Sequence, residues 1–301
     1  MKQIINIHAD DYGINNEISD NIINSINNGL TNSISIICNT RYFIENVKKL
    51  EYLNKNIRKS LHLNLIEGSP ISNKSEIGMI LNGHGQFKYS FITLWLKYLF
   101  LSKHQKEIIS KQIATEIRNQ IKMYSKYCIN DENLFIDSHM HLHMIPFIFD
   151  IIMDLSKEHK IKFIRIPYEL NYFNYYDIHR FFHINLIKNI LLNYLSKKNS
   201  LKMKKNNINR NEYFIGVLST GNMHTNDIEL ALKKIKNKRK PHSIDILFHP
   251  GGVKNHKTIK WTNKDTFHNF YSSQNRDKEL NILKSNALKG LIEKYETIFN
   301  N

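Results

Sequence analysis

The chain has 301 residues, with 43 Lys and Arg against 27 Asp and Glu, for a formal net charge of +16. At 41% hydrophobic and 23% charged residues it has the balance of a globular protein with a sizeable core. It has no apolar run of about 18 residues, so no membrane span is expected. Cys38 and Cys128 form neither a CxxC pair nor a disulfide framework. The opening "MKQIINIHADDYG" lacks the pattern of a signal peptide, so a cytoplasmic protein is expected. The positive charge has two readings: an acidic partner, or the bias of a Lys-, Ile- and Asn-rich composition whose lysines cluster only near Lys197–Arg210 and Lys233–Lys240.

In chain order, short apolar runs predict strands at Ile4–His8, Ser33–Cys38, Leu61–Leu65, Leu134–Asp137, Phe163–Ile166, Tyr213–Val217 and Ile244–Phe248. Helical spacing falls between and after them, at Glu17–Asn28, Ile108–Tyr124, Phe147–His159, Asp227–Lys236 and Arg276–Phe299. Strands alternating with helices predict a parallel α/β architecture, and seven of them suggest an irregular (β/α) barrel. Neither G-x-G-x-x-G nor a phosphate-binding loop is present. Two segments stand apart, Phe87–Lys106 and Tyr172–Arg210, both apolar and basic. Each reads as a cap over the barrel or as an amphipathic helix meeting a membrane surface.

In such folds chemistry gathers at the carboxyl ends of strands. Those ends here carry "HADDYG" with His8, Asp10 and Asp11; "LHLNLIEGSP" with His62, Asn64 and Glu67; "DSHMHLHM" with Asp137, His139, His141 and His143; Arg165; and His249 in "FHPGG". Buried unpaired, such groups would each cost several kcal/mol. The His-x-His-x-His run would face one way if it were all strand. Singly, each residue also fits a turn cap, an ion pair or a satisfied core position. Together they fit metal-assisted hydrolysis of an amide or ester: an Asp and two His hold a divalent ion, a second carboxylate takes a proton from water, and a histidine protonates the leaving group.

These residues resemble the YdjC family, also called ChbG/HpnK, of carbohydrate deacetylases. "HADDYG", "GLTNSISI", "LHLNLIEGSP", "FIDSHMHLHMIP", "FIRIPYE", "GVLSTGNM", "LFHPGG" and "FYSSQNRDKELNIL" carry the resemblance, in order and over nearly the whole chain. It implies one domain over residues 1–301, with insertions near 87–106 and 172–210, and a (β/α) barrel related to the polysaccharide deacetylase superfamily. It implies removal of N-acetyl groups from chitooligosaccharide or N-acetylhexosamine substrates. Asp11, His62 and His139 match the family's metal positions, Asp10 the general base and His249 the general acid. Spacing alone does not separate Asp10 from Asp11. Asp137, His141, His143, Arg165 and Asn64 are expected behind the ligands or against substrate. The resemblance implies Mg2+; two imidazoles would also suit Zn2+. His8 stands where the family's motif commonly has Asn, and the two apolar segments differ from those of the chitobiose enzyme. Two alternatives stay open. One is a hydrolase of another acyl compound, such as a lipid-linked sugar. The other is a non-catalytic barrel binding glycan or membrane. The expected partner is an acetylated sugar and not nucleic acid; weak membrane-surface contact and a homodimer are left open.

Overall fold

The computed structural model describes residues 3–53, 55–128, 133–173, 184–238, 240–254, 261 and 264–300. Its strands are β1 (Ile5–Tyr12), β2 (Ser33–Ile36), β3 (Arg58–Leu63), β4 (Leu134–Ser138), β5 (Ile161–Ile164), β6 (Tyr213–Ile215) and β7 (Ile244–Phe248). All pair in parallel, in the order β5-β4-β3-β2-β1-β7-β6. The seven expected strands are therefore present with shifted ends. Parallel strands covered on both sides are buried throughout, which is why they read as short unbroken apolar runs.

The sheet curls, and its two outer strands are joined by something other than a strand. Asn209 N–H donates to Lys162 O at 2.9 Å, and Ile164 N–H donates to Asn209 O at 3.0 Å. The Asn211 side chain then accepts from Ile166 N–H at 2.8 Å and donates to Ile166 O at 2.7 Å. An amide side chain replaces a missing ladder rung and satisfies buried backbone groups. This closure is the irregularity of the barrel.

The helices are α1 (Asn16–Asn27), α2 (Phe43–Lys49), α3 (Phe91–Phe100), α4 (Lys103–Cys128), α5 (Pro146–Leu155), α6 (Ile184–Lys205), α7 (Thr225–Lys236), α8 (Lys264–Ser272), α9 (Gln274–Leu283) and α10 (Asn286–Asn300). The single helix expected over Arg276–Phe299 is two. The Ser285 hydroxyl accepts from Leu288 N–H at 3.2 Å and caps the second one, so the chain turns between them. Gly13 follows β1 at φ +88°, where a Cβ would lie 2.6 Å from Ile37 O, so this turn requires glycine. Cys38 and Cys128 are buried free thiols. No described helix is long and apolar enough to cross a membrane.

The two apolar segments contribute α3 and α6, while residues 174–183 of the second lie outside the described residues. Their inner faces pack on the barrel. Tyr98 of α3 stacks on Phe147 of α5 with ring centroids 3.7 Å apart. On α6 the inner face mixes Leu192, Leu195 and Met203 with amides: Asn185, Asn189, Asn193 and Asn199 bond to backbone carbonyls of Leu218, Glu169 and Met144. Glu169, fully buried, accepts backbone N–H bonds from Gly216, Val217 and Leu218 at 2.8, 2.9 and 2.8 Å. It thus ties the loop after β6 to α6. Glu169→Ala strands three buried donors and should lower stability by about 3 kcal/mol. Urea denaturation of the variant against the unmodified chain measures this, and an unchanged midpoint would remove Glu169 from the closure.

Candidate active site

The inner wall of the barrel is polar. His8 and Asp10 alternate along β1 and face inward, where they meet Ser33 and Ser35 of β2, His62 of β3 and Asp137 of β4. Arg165, directly after β5, crosses this space. Its guanidinium donates to both Asp10 oxygens at 2.9 Å and lies 2.9 Å from Asp137 Oδ2. Deeper, Arg58 bonds both oxygens of Asp245 at 2.9 Å.

Asp10 and Asp11, adjacent in sequence, have different surroundings. The β1 register shifts between Ala9 and Tyr12, and Asp11 adopts φ +72°. A left-handed residue inside a strand re-aims its side chain. Asp11 Oδ1 lies 2.8 Å from His139 Nδ1 and 3.4 Å from His62 Nε2. Its Oδ2 accepts from the Tyr271 hydroxyl at 2.6 Å and lies 3.9 Å from His249 Nε2. So Asp11 sits among imidazoles, and Asp10 against a guanidinium.

His62 Nδ1–H donates to Asp137 Oδ1 at 2.6 Å, which turns Nε2 towards Asp11. Burial works against charge on His62, yet the carboxylates of Asp10 and Asp137, with its bonds to Asp11 and Asp137, push its pKa up to about 10. Burial likewise opposes ionisation of the carboxylates, but Arg165 and His62 hold Asp10 well below the usual range and bring Asp137 down to about 2. His139 and His62 do the same for Asp11.

Among the described residues two triads could hold a metal ion: Asp11–His62–His139 and His8–Asp10–Asp137. The second is already spanned by Arg165, whose positive charge opposes a cation there. In the first, His139 Nδ1 and His62 Nε2 both face Asp11 Oδ1. Ligand atoms sharing one ion at about 2.0–2.2 Å stand about 2.8–3.6 Å apart, and the Asp11–His139 and Asp11–His62 separations of 2.8 and 3.4 Å fall in that range. Four buried carboxylates, Asp10, Asp11, Asp137 and Asp245, outnumber the two guanidiniums, Arg58 and Arg165, and this excess draws a proton onto His62 in the absence of another cation, a charge that a bound metal ion would replace. The donors of the first triad therefore fit a divalent ion.

The remaining expected residues divide. His139, His141 and His143 do not share one strand face, in keeping with the expected strand end at Asp137. β4 ends at Ser138, and His139–Met144 form a 3₁₀ turn in which Met140 and His141 are left-handed, at φ 54° and 56°. The three imidazoles consequently diverge. His139 joins Asp11. His141 lines the cavity, its ring edge-on to Phe214. His143 bonds Ser138 Oγ at 2.5 Å and Arg165 O at 2.9 Å, so it braces Arg165 from behind. Asn64 organises its own loop, accepting from Ile66 and Glu67 N–H and donating to Glu67 O, and does not line the cavity. His249 follows β7 and is held at its backbone: its N–H donates to Glu279 at 2.7 Å, and its carbonyl accepts from Arg276 at 3.3 Å. Tyr271 and Phe267, which stacks on His139 at 5.2 Å, were not expected from spacing. Only their place in or beside the closing "FYSSQNRDKELNIL" hinted at them.

Asp10, Asp11, His62, His139, His141 and His249 open into one cavity of about 380 Å³, within the range of small-molecule sites. Its other walls are apolar and include Phe91 and Ile92 of α3, Leu191 of α6, Phe267 and Phe270.

Comparison with known proteins agrees with this picture. The family described as YdjC-like protein matches residues 4–294. A carbohydrate deacetylase of Clostridium beijerinckii is 30% identical over 161 residues, covering 54% of this chain and 58% of that protein. One from Oceanobacillus iheyensis is 28% identical over 52% of this chain and 62% of its own length. The matched part of the chain thus spans less than two thirds of either relative. A crystal structure of an Enterococcus faecalis protein described for cellobiose-phosphate cleavage superposes with a TM-score of 0.69, covering 98% of both chains at 17% identity. That likeness establishes the (β/α) barrel-type fold.

Burial pushes His8, His141, His143 and His249 down to about 4, 3, 4 and 4, whereas an unfolded histidine titrates near about 6.5. A depressed folded pKa means the stability these groups carry is present above about 6.5 and is lost as pH falls towards about 4. His62, raised instead, is protonated in both states below about 6.5 and does not enter this window. Glu169, which burial pushes up to about 7, acts in the opposite sense, but it is one group against four, so the chelator-treated chain should melt at a lower temperature at about pH 5 than at about pH 6.5. Equal midpoints would mean that these imidazoles charge within the fold.

Proposed function

We propose a function from one premise: the chain belongs to the YdjC-like protein family. The function is hydrolysis of an N-acetyl group on an acetylated sugar, giving acetate and the free amino sugar. The observation that carries it is the split between adjacent carboxylates, Asp11 between two imidazoles and Asp10 ionised against Arg165, both opening into the same cavity. The naming of several relatives as carbohydrate deacetylases supports the substrate class.

Asp11, His62 and His139 would hold one divalent ion, Mg2+ as family resemblance implies or Zn2+ as two imidazoles favour. When bound, such an ion polarises a carbonyl and acidifies water. The chain's own residues supply the rest. Asp10 accepts the proton of the attacking water, and Arg165 aims its carboxylate and keeps it ionised. Asp137 holds His62 in the tautomer that points Nε2 at Asp11. Tyr271 holds the far oxygen of Asp11. His249 delivers a proton to the departing amine. Burial keeps it neutral in the resting protein, so it takes up the proton it delivers from solvent as negative charge develops on the substrate beside it, and Asp10 returns its own proton to solvent after the products leave. The aromatic wall excludes water from the sugar. The apolar side of the cavity favours a second substrate class within the same chemistry, an acetylated sugar carried on a lipid.

Acetate release from N,N′-diacetylchitobiose should require added metal and be lost in His62→Ala together with bound metal, measured by metal content. Release from chelated protein would exclude metal assistance. Asp10→Asn should keep its metal and lose about 100-fold or more in turnover. His249→Ala should lose a similar factor on the N-acetyl sugar but keep hydrolysis of p-nitrophenyl acetate, whose leaving group needs no proton. Equal losses on both substrates would remove His249 as the acid.

A further inference from the structure

Helix α6 is apolar on both sides. Its buried face sets Leu192, Leu195 and Met203 among Asn185, Asn189, Ser196 and Asn199, while Ile187, Ile190 and Tyr194 are 64, 62 and 63% exposed, with Leu201 continuing the outer stripe. These four stand at i, i+3, i+7 and i+14, one side of a helix. On α3 the exposed side is Ile92, Leu96, Leu99 and Phe100, the last 87% exposed, at i, i+4, i+7 and i+8. Both helices border the catalytic cavity, α3 through Phe91 and Ile92 and α6 through Lys188 and Leu191. Met140, between them on the 3₁₀ turn, is exposed as well. Large exposed apolar side chains thus flank the cavity mouth on two elements, an arrangement that marks an interaction surface.

The charge on the same helices identifies the occupant. α3 and α6 contain no Asp or Glu, and they expose Lys97, Lys197, Lys198, Lys204 and Lys205. Pairing this face with itself in a second copy would set lysines against lysines. An apolar stripe edged by lysines matches a bilayer with anionic headgroups. Neither helix can span it. We propose that the exposed faces of α3 and α6 dock the protein on an anionic lipid bilayer, with the cavity mouth turned to the membrane surface. This holds whatever reaction the site performs, and it is tested without substrate.

The full chain would be floated with vesicles of phosphatidylcholine containing phosphatidylglycerol, and with phosphatidylcholine alone. Trp95, half-buried at the edge of the α3 stripe, reports depth through quenching by brominated lipid, with Trp95→Phe as control. The expected result is flotation that needs the anionic lipid, quenching of Trp95, and a loss of about tenfold or more in vesicle partition for Ile187→Asn with Ile190→Asn and for Leu99→Ser with Phe100→Ser. None of these four residues lines the cavity, so acetate release from soluble sugar should stay within about twofold. No flotation, or flotation unchanged in both double variants, overturns the proposal. So does concentration-dependent self-association that the same substitutions abolish while vesicles are ignored, which would assign the face to a second copy. Quenching in the unmodified chain decides the matter should a variant fail to fold.

Discussion

The structure depends on one buried guanidinium. Arg165 stands between Asp10 and Asp137 in the barrel interior, with His143 holding its backbone carbonyl. Burying these charges is costly, and the pairing returns that cost only because the geometry is bidentate and the remaining lone pairs are used. Asp137 spends its other oxygen on His62, and the Ser35 hydroxyl donates to Asp137 while accepting from Arg165. The orientation of His62 is therefore set two bonds away by Arg165. Asp10 is fixed by the same group. One cation thus positions both the carboxylate that would take a proton and the imidazole that would hold a metal.

The arrangement also separates two acidic neighbours that spacing makes equivalent. In a regular strand, Asp10 and Asp11 would point to opposite faces, one inward and one towards the helices. The register shift and the left-handed Asp11 bring both carboxylates to the same end of the barrel. Asp11 then meets His62, His139, Tyr271 and His249 from β3, the 3₁₀ turn, α8 and the loop after β7. Strain at this position is sustained by contacts from four parts of the chain, as expected where backbone irregularity serves a site.

Asparagine, abundant here as part of the composition, acquires structural work in the barrel's weakest region. Asn209 and Asn211 bridge β5 and β6 where the described residues form no eighth strand. The amides of α6 clamp the adjoining loops beside the buried Leu192, Leu195 and Met203, while Ile187, Ile190 and Leu201 stay outside.

Much of this was legible in the residues. The seven strands, the parallel barrel and the placing of acids and imidazoles at strand ends follow from short-range periodicity, which a linear pattern records directly. The site residues were recognisable as a set because buried charges need partners, and their order along the chain resembled a known family. What the pattern could not hold is whatever depends on contacts between distant elements. The three histidines of "HMHLHM" diverge because the strand stops at Ser138 and the turn reverses hand, a consequence of packing. Tyr271 reaches Asp11 across 260 positions, and Asn211 fills a gap that exists only once the sheet has curled. Which apolar residues of α6 are buried is decided only by the structure, since helical spacing defines opposite faces but not which of them meets the core. Periodicity is local and was read from sequence; orientation and partnership are long-range and were decided by the fold.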